Sequence, residues 1–179
     1  IMRTDLGKTS KGENTKVYTL KNDNGMLVEL SDLGAALVAI EVPDKDGNAV
    51  DVTLGFDTAV AYEESGTFLG SVVGRIANRT GKASFMLNGK EYKMFANDAE
   101  NNLHSGLDFW KNRIWDVKSA NDSEVVFVLH SEEGDQGVPG TLDMEVTYTL
   151  TEDNEIKIHY YSVPEGDTVL NMTNHAYFN

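Results

Sequence analysis

The chain predicts an all-β fold, a sandwich or barrel-like arrangement, on three observations. Apolar residues recur with period two, Asn-Gly and Asp-Gly pairs separate the alternating runs, and helical spacing is confined to one short stretch. Successive side chains of a strand point to opposite faces, so a run with every second residue apolar has one buried and one solvated face.

The first strands are expected at 16–20, 26–30, 36–42 and 50–54, with Asn24-Gly25 and Asp46-Gly47 as turns between them. Residues 58–64 form a short helix at most. Phe85-Met86-Leu87 and Tyr92-Lys93-Met94 flank Asn88-Gly89, a pair that accepts the positive φ of a tight hairpin turn. A strand at 124–129 follows. Residues 141–150 alternate with every even position apolar or aromatic, and 155–160 repeat the pattern after the short polar link Thr151-Glu152-Asp153-Asn154, which reads as a second hairpin. A last strand is expected at 168–172. With 179 residues and no linker or internal repeat, residues 1–179 read as a single domain.

Composition excludes several function classes. Fifteen Lys and Arg against 29 Asp and Glu leave a formal charge of −14, and the basic residues form no stripe, which argues against nucleic acid as a partner. No apolar run approaches the ~20 residues that cross a bilayer, and residues 1–8 lack the apolar segment of a secretory signal. The sequence has no cysteine, so disulfides, thiolate catalysis and cysteine-ligated metals are excluded, and a reducing cytoplasm is the expected location. No His-x-x-x-His pair supports a metal site, and the acidic stretch 132–137 lacks calcium-loop spacing and reads as a solvated turn.

Four histidines are candidates for chemistry. His159 falls on the polar face of an alternating strand and His130 at a strand end, and both read as surface residues. His104 lies in Asn101-Asn102-Leu103-His104-Ser105-Gly106, and His175 in Thr173-Asn174-His175-Ala176-Tyr177-Phe178-Asn179. Amides donate and accept hydrogen bonds, aromatic rings offer a flat face to a sugar, and a near-neutral imidazole transfers protons. Residue types alone equally allow two satisfied loop histidines. Arg75 and Arg79, set in an irregular Gly-flanked turn, suit either hydroxyl recognition or internal ion pairing.

Four segments then carry a resemblance: Gly74-Arg75-Ile76-Ala77-Asn78-Arg79, Asn102-Leu103-His104-Ser105-Gly106, Gly134-Asp135-Gln136-Gly137-Val138-Pro139-Gly140, and Thr173 to Asn179. In order and approximate spacing they resemble the aldose 1-epimerases, also called galactose mutarotases. The resemblance implies a large antiparallel β-sandwich of the galactose-mutarotase type and cofactor-free interconversion of the α and β anomers of hexoses such as galactose and glucose. It implies that His175 is the general acid at the ring oxygen and that His104 hydrogen-bonds the sugar beside it. Asn78 and Arg79 resemble sugar-hydroxyl contacts, Tyr177 falls in the segment lining the same cleft, and Arg75 is expected to be structural. The family's general-base glutamate and a sugar-gripping aspartate lie in its C-terminal half, so the chain is expected to be an N-terminal portion and the domain incomplete. Ser105 stands where glycine is usual and Ala176 where serine is common, which leaves sugar preference open. Alternatives are a non-catalytic carbohydrate-binding β-module, a structural β-domain of a larger enzyme, and a relative acting on phosphorylated hexoses, which needs extra cationic groups. Oligomeric state is not legible in the sequence.

Overall fold

The computed structural model describes residues 2–179. Its first sheet is an antiparallel meander of β1 (Val17–Lys21), β2 (Leu27–Ser31), β3 (Ala36–Pro43) and β4 (Ala49–Asp51), in that order across the sheet. The helix α1 (Ala59–Glu64) follows, its first turn closed by the Thr58 side chain accepting from the Ala61 N–H. Five short strands come next: β5 (Val72–Val73), β6 (Arg79–Thr80), the hairpin β7 (Ser84–Leu87) and β8 (Lys90–Lys93), and β9 (Asn102–Leu103). The second large sheet is another antiparallel meander, β10 (Asp116–Ala120), β11 (Glu124–Ser131), β12 (Leu142–Leu150) and β13 (Ile156–Ser162), and β14 (Thr173–Asn174) pairs back to β5.

The two large sheets share one core. On β12 the residues Leu142, Met144, Val146, Tyr148 and Leu150 are buried while their neighbours are at least partly exposed, as the period-two pattern requires. They face Val125, Phe127 and Leu129 of β11, in register Val125↔Tyr148 and Phe127↔Val146. Leu20, Val28, Leu30, Leu37 and Ile40 of the first sheet join the same cluster, with Trp110 and Trp115 edge-to-face within it. Burying a side chain of the size of Phe127 stabilises the fold by about 1.5–3 kcal/mol. The Tyr148 hydroxyl ties the sheets together by donating to the Ala35 carbonyl at 2.6 Å. β3 is buried on both faces, because Leu6, α1 and Leu69 pack over its far side around Val38.

The all-β antiparallel fold and both hairpins stand as expected, but the strand expected at 50–54 ends at Asp51, leaving Thr53 a lone bridge to Phe178, and two further corrections follow. Residues 168–172 are not a strand. Only Asn171 makes a bridge there, parallel to Ile76, and pairing begins at Thr173. β10 went unrecognised because its single inward apolar residue, Val117, sits beside a bulge before Ser119 that breaks the alternation. Among the described residues, no helix is long and apolar enough to cross a membrane.

Candidate functional site

Three segments lie side by side and build one cleft. The first runs from Arg75 to Arg79, the second through Leu103 to Ser105, and the third from Asn171 to Tyr177. Backbone pairing sets their relation. The Ala77 N–H donates to the Asn171 carbonyl and the Asn171 N–H to the Arg75 carbonyl, both at 2.8 Å. β6 pairs with β9 in the register Arg79↔Leu103. The His175 N–H donates to the Ser71 carbonyl at 2.8 Å, and its own carbonyl accepts from the Gly70 N–H at 3.0 Å. Gly70 has φ +67°, and a Cβ there would collide with the Leu37 carbonyl oxygen, so only glycine fits the turn that brings this strand to His175.

His104 is held by a closed set of bonds. It and Ser105 take left-handed backbone (φ 54° and 55°), which is uncommon for non-glycine residues. The Asn102 side chain accepts from the Ser105 N–H and donates to the Phe95 and Gly106 carbonyls. The Ser105 hydroxyl accepts from the Ile76 N–H and donates to the Ile76 carbonyl, which bolts the second segment to the first. The Asn78 N–H donates to His104 Nδ1 at 2.9 Å. Nδ1 is therefore the acceptor of a neutral ring, whose remaining proton is on Nε2. Partial burial, with His175 and Arg79 close by, pushes the His104 pKa down from 6.5 to about 4. At neutral pH His104 is a fixed, uncharged hydrogen-bond donor.

The resulting cleft holds about 510 Å³ and is lined by Ala77, Asn78, Arg79, His104, Asn171, Thr173, Asn174, His175, Ala176 and Tyr177. It thus contains all five residues singled out from the sequence. The His104 and His175 rings stand edge-on with centroids 5.3 Å apart, and Tyr177 stacks on His175 at 5.1 Å. Arg79 is half exposed. Its Nε donates to Asp98 at 2.6 Å and one Nη to the Asn78 side-chain oxygen at 3.4 Å. That oxygen also accepts the Arg79 N–H, so Asn78 keeps its amide donors for a ligand. Asn174, grouped by sequence with ligand-handling amides, is used by the fold instead. It donates to the Gly70 carbonyl and the Tyr148 hydroxyl and accepts from the Ala176 N–H.

The remaining candidates fall elsewhere. Arg75 is buried and donates to the carbonyls of Ser131, Glu132, Val138 and Pro139 and to the hydroxyls of Ser131 and Thr168, a purely internal role. The 132–137 turn is not simply solvated. Asp135 is drawn inside, where Arg113 grips both its oxygens at 2.7 and 2.8 Å and the Ser131 hydroxyl donates to it. Burial alone raises its pKa, but these bonds outweigh that and hold it below the usual carboxylate range. His130 is exposed between Asp143 and Glu132, and His159 is exposed on β13, and neither lines the cleft. Phe68, absent from the sequence-based candidates, packs behind both cleft histidines.

The fold and its cleft define a class of protein: an antiparallel β-sandwich presenting two histidines, an asparagine and an arginine to a sugar-sized cavity. A family model described as aldose 1-epimerase matches residues 16–179, and the chain belongs to that family. It is 44% identical over 164 residues to the aldose 1-epimerase of Haemophilus influenzae, covering 92% of this chain and 47% of that protein. It is 36% identical over 180 residues to the galactose mutarotase of Bos taurus, covering 100% and 52% respectively. Among solved structures, it is similar to the GalM/aldose epimerase homologue from C. elegans, with a TM-score of 0.88 and 33% identity over 92% of this chain and 51% of that one. Galactose 1-epimerase from Lactobacillus acidophilus NCFM gives a TM-score of 0.81 at 27% identity, over 95% and 50%. The chain spans about half the length of the relatives it matches.

Proposed function

We propose that this chain supplies the acid side of an aldose 1-epimerase, acting on free hexoses such as galactose and glucose without a cofactor. The observation that carries the reading is the placing of His104 and His175, 5.3 Å apart between ring centroids, in one cleft with Asn78, Arg79 and Tyr177. Anomer exchange opens a hemiacetal. A base takes the proton of the anomeric hydroxyl, the C1–O5 bond breaks as an acid protonates O5, and rotation of the aldehyde lets the reverse transfers close the ring on its other face. His175 is the acid at the ring oxygen. Neutral His104 donates from Nε2 to an adjacent sugar oxygen, which orients the ring and stabilises charge building there. Asn78 and the unpaired edge of Arg79 bind hydroxyls, and Tyr177 lines the wall. The base is a glutamate that the family resemblance places C-terminal to these residues. A cytoplasmic location is part of the same proposal and is supported by the absence of cysteine.

A phosphorylated hexose fits the site less well. Arg75 and Arg113 are engaged inside the protein and Arg3 pairs with Glu29 and Asp57, so Arg79 alone among the four arginines lines the cleft. The test is the rate of α-to-β conversion of galactose and glucose by polarimetry, in the protein bearing this chain and in its His175→Ala variant. Loss of about 10²–10⁴-fold in rate is expected. A folded parent that binds galactose but accelerates nothing would overturn the reading in favour of a carbohydrate-binding module.

A further inference from the structure

His175 has the role of acid in the proposed function, yet among the described residues no side-chain hydrogen bond holds its ring. A histidine that must deliver a proton to one atom needs a fixed ring plane, and here packing fixes it. Phe68 stacks on His175 with centroids 5.8 Å apart and planes 29° from parallel, and Tyr177 stacks at 5.1 Å and 26°. Phe68 also meets His104 edge-to-face, at 4.7 Å and 66°. Among the described residues it is the one ring in contact with both imidazoles, and it does not line the cleft.

The backing ring is itself held. Phe109 packs edge-to-face on Phe68 at 4.9 Å. The buried Lys111 ammonium sits 5.6 Å from the Phe68 ring centroid and donates to the carbonyls of Tyr62 and Ser65, at 3.0 and 3.1 Å. These bonds anchor the end of α1 and the start of the segment carrying Phe68. Its far end is tied to His175 by the Gly70 and Ser71 backbone bonds already described. Ring and histidine therefore hang from one hydrogen-bonded unit, and aromatic pairs at these separations favour the stacked and edge-on geometries found here.

We propose that Phe68 is a positioning residue for the reaction: its ring sets the plane of His175 against His104, which the Asn78 N–H already holds, without touching the sugar. This rests on the reading of His175 as the acid. The consequence is a role in turnover rather than in binding. Misplacing a reacting group by about 1 Å costs on the order of 100-fold in rate. A residue behind the acid lowers kcat while leaving the hydroxyl contacts that set affinity.

The test compares the parent with Phe68→Leu, which keeps an apolar side chain without the ring, and Phe68→Tyr, which keeps the ring. The leucine variant should lose about 10–100-fold in kcat with KM little changed, and the tyrosine variant should keep most of the rate. Phe68→Met carries the same expectation should the leucine variant not fold. A folded ring-less variant with kcat within about two-fold of the parent would overturn the proposal. An independent arm needs no turnover. The nuclear Overhauser contact between the His104 and His175 rings should be lost in the leucine variant and kept in the tyrosine variant, while His130 and His159 resonances stay in place. If the parent accelerates no anomerisation, the function reading fails, and this contact still decides the positioning role: its persistence in Phe68→Leu refutes it.

Discussion

Two polar regions lie within a few residues of each other in sequence and are built on opposite principles. Arg75 enters a buried knot in which it donates to four carbonyls and two hydroxyls, with Asp135 and Arg113 paired beside it. Four residues on, Arg79 stands half exposed at the cleft, held by Asp98 on one edge, next to an Asn78 amide nitrogen and a His175 ring that donate to or accept from nothing among the described residues. Arg75 spends its hydrogen-bonding capacity on the fold, since a buried group left without a partner costs about 1–3 kcal/mol. The cleft withholds capacity, and what is withheld is what a sugar can use. Saturation marks the buried arginine and unsaturation the one that lines the cleft.

The sharpest way to break that contrast is to replace each arginine by methionine. Arg75→Met leaves the Ser131, Glu132 and Pro139 carbonyls unpaired and should lower stability by about 3–5 kcal/mol in urea unfolding. Arg79→Met removes an exposed ion pair and should change stability by no more than about 0.5 kcal/mol, while raising KM for galactose about ten-fold through lost charged hydrogen bonds. Equal destabilisation by both would dissolve the distinction. A smaller effect sharpens it through pH. His104 is neutral in the fold, with its pKa depressed to about 4, but titrates near 6.5 once unfolded. The unfolded chain binds the extra proton, so this contribution to stability is complete above pH ~6.5 and is lost as pH falls toward 4. His104→Gln should therefore lose less stability than the parent between pH 7 and pH 5. An equal loss would show that His104 is not held neutral.

The second large sheet is legible in the sequence where its strands carry their own period, as β11 and β12 do and the bulged β10 does not. Leu142 to Leu150 declares its buried face without reference to any partner. Legibility fails where pairing replaces patterning. Residues 168–172 are apolar enough for a strand, but Asn171 is captured by the irregular Arg75–Ala77 turn instead. Asp135 reads as one more surface acid, because its partner Arg113 lies 22 residues away and meets it only after the sheets have formed. The cleft residues were found from composition and resemblance, His104 and His175 by the amides and aromatics around them. Phe68 sends no such signal. An aromatic residue in Thr67-Phe68-Leu69 looks like ordinary core, and only the pairing of β5 with β14 brings it behind a histidine.

That same pairing of β5 with β14 has a consequence in time. Val73 and Thr173 are partners across 100 residues of chain. Closing a loop of that length costs about 2 kcal/mol more than closing a ten-residue one, so the contact forms late unless the sheets between have already drawn its ends together. At a synthesis rate of about 5–20 residues per second, the strand leading to Arg79 emerges about 5–20 s before its partner. The sandwich can begin to assemble during that interval, but His175 cannot yet be in place. The cleft is completed late in the life of each molecule, and a folding intermediate with both large sheets formed would still lack the wall that carries His175.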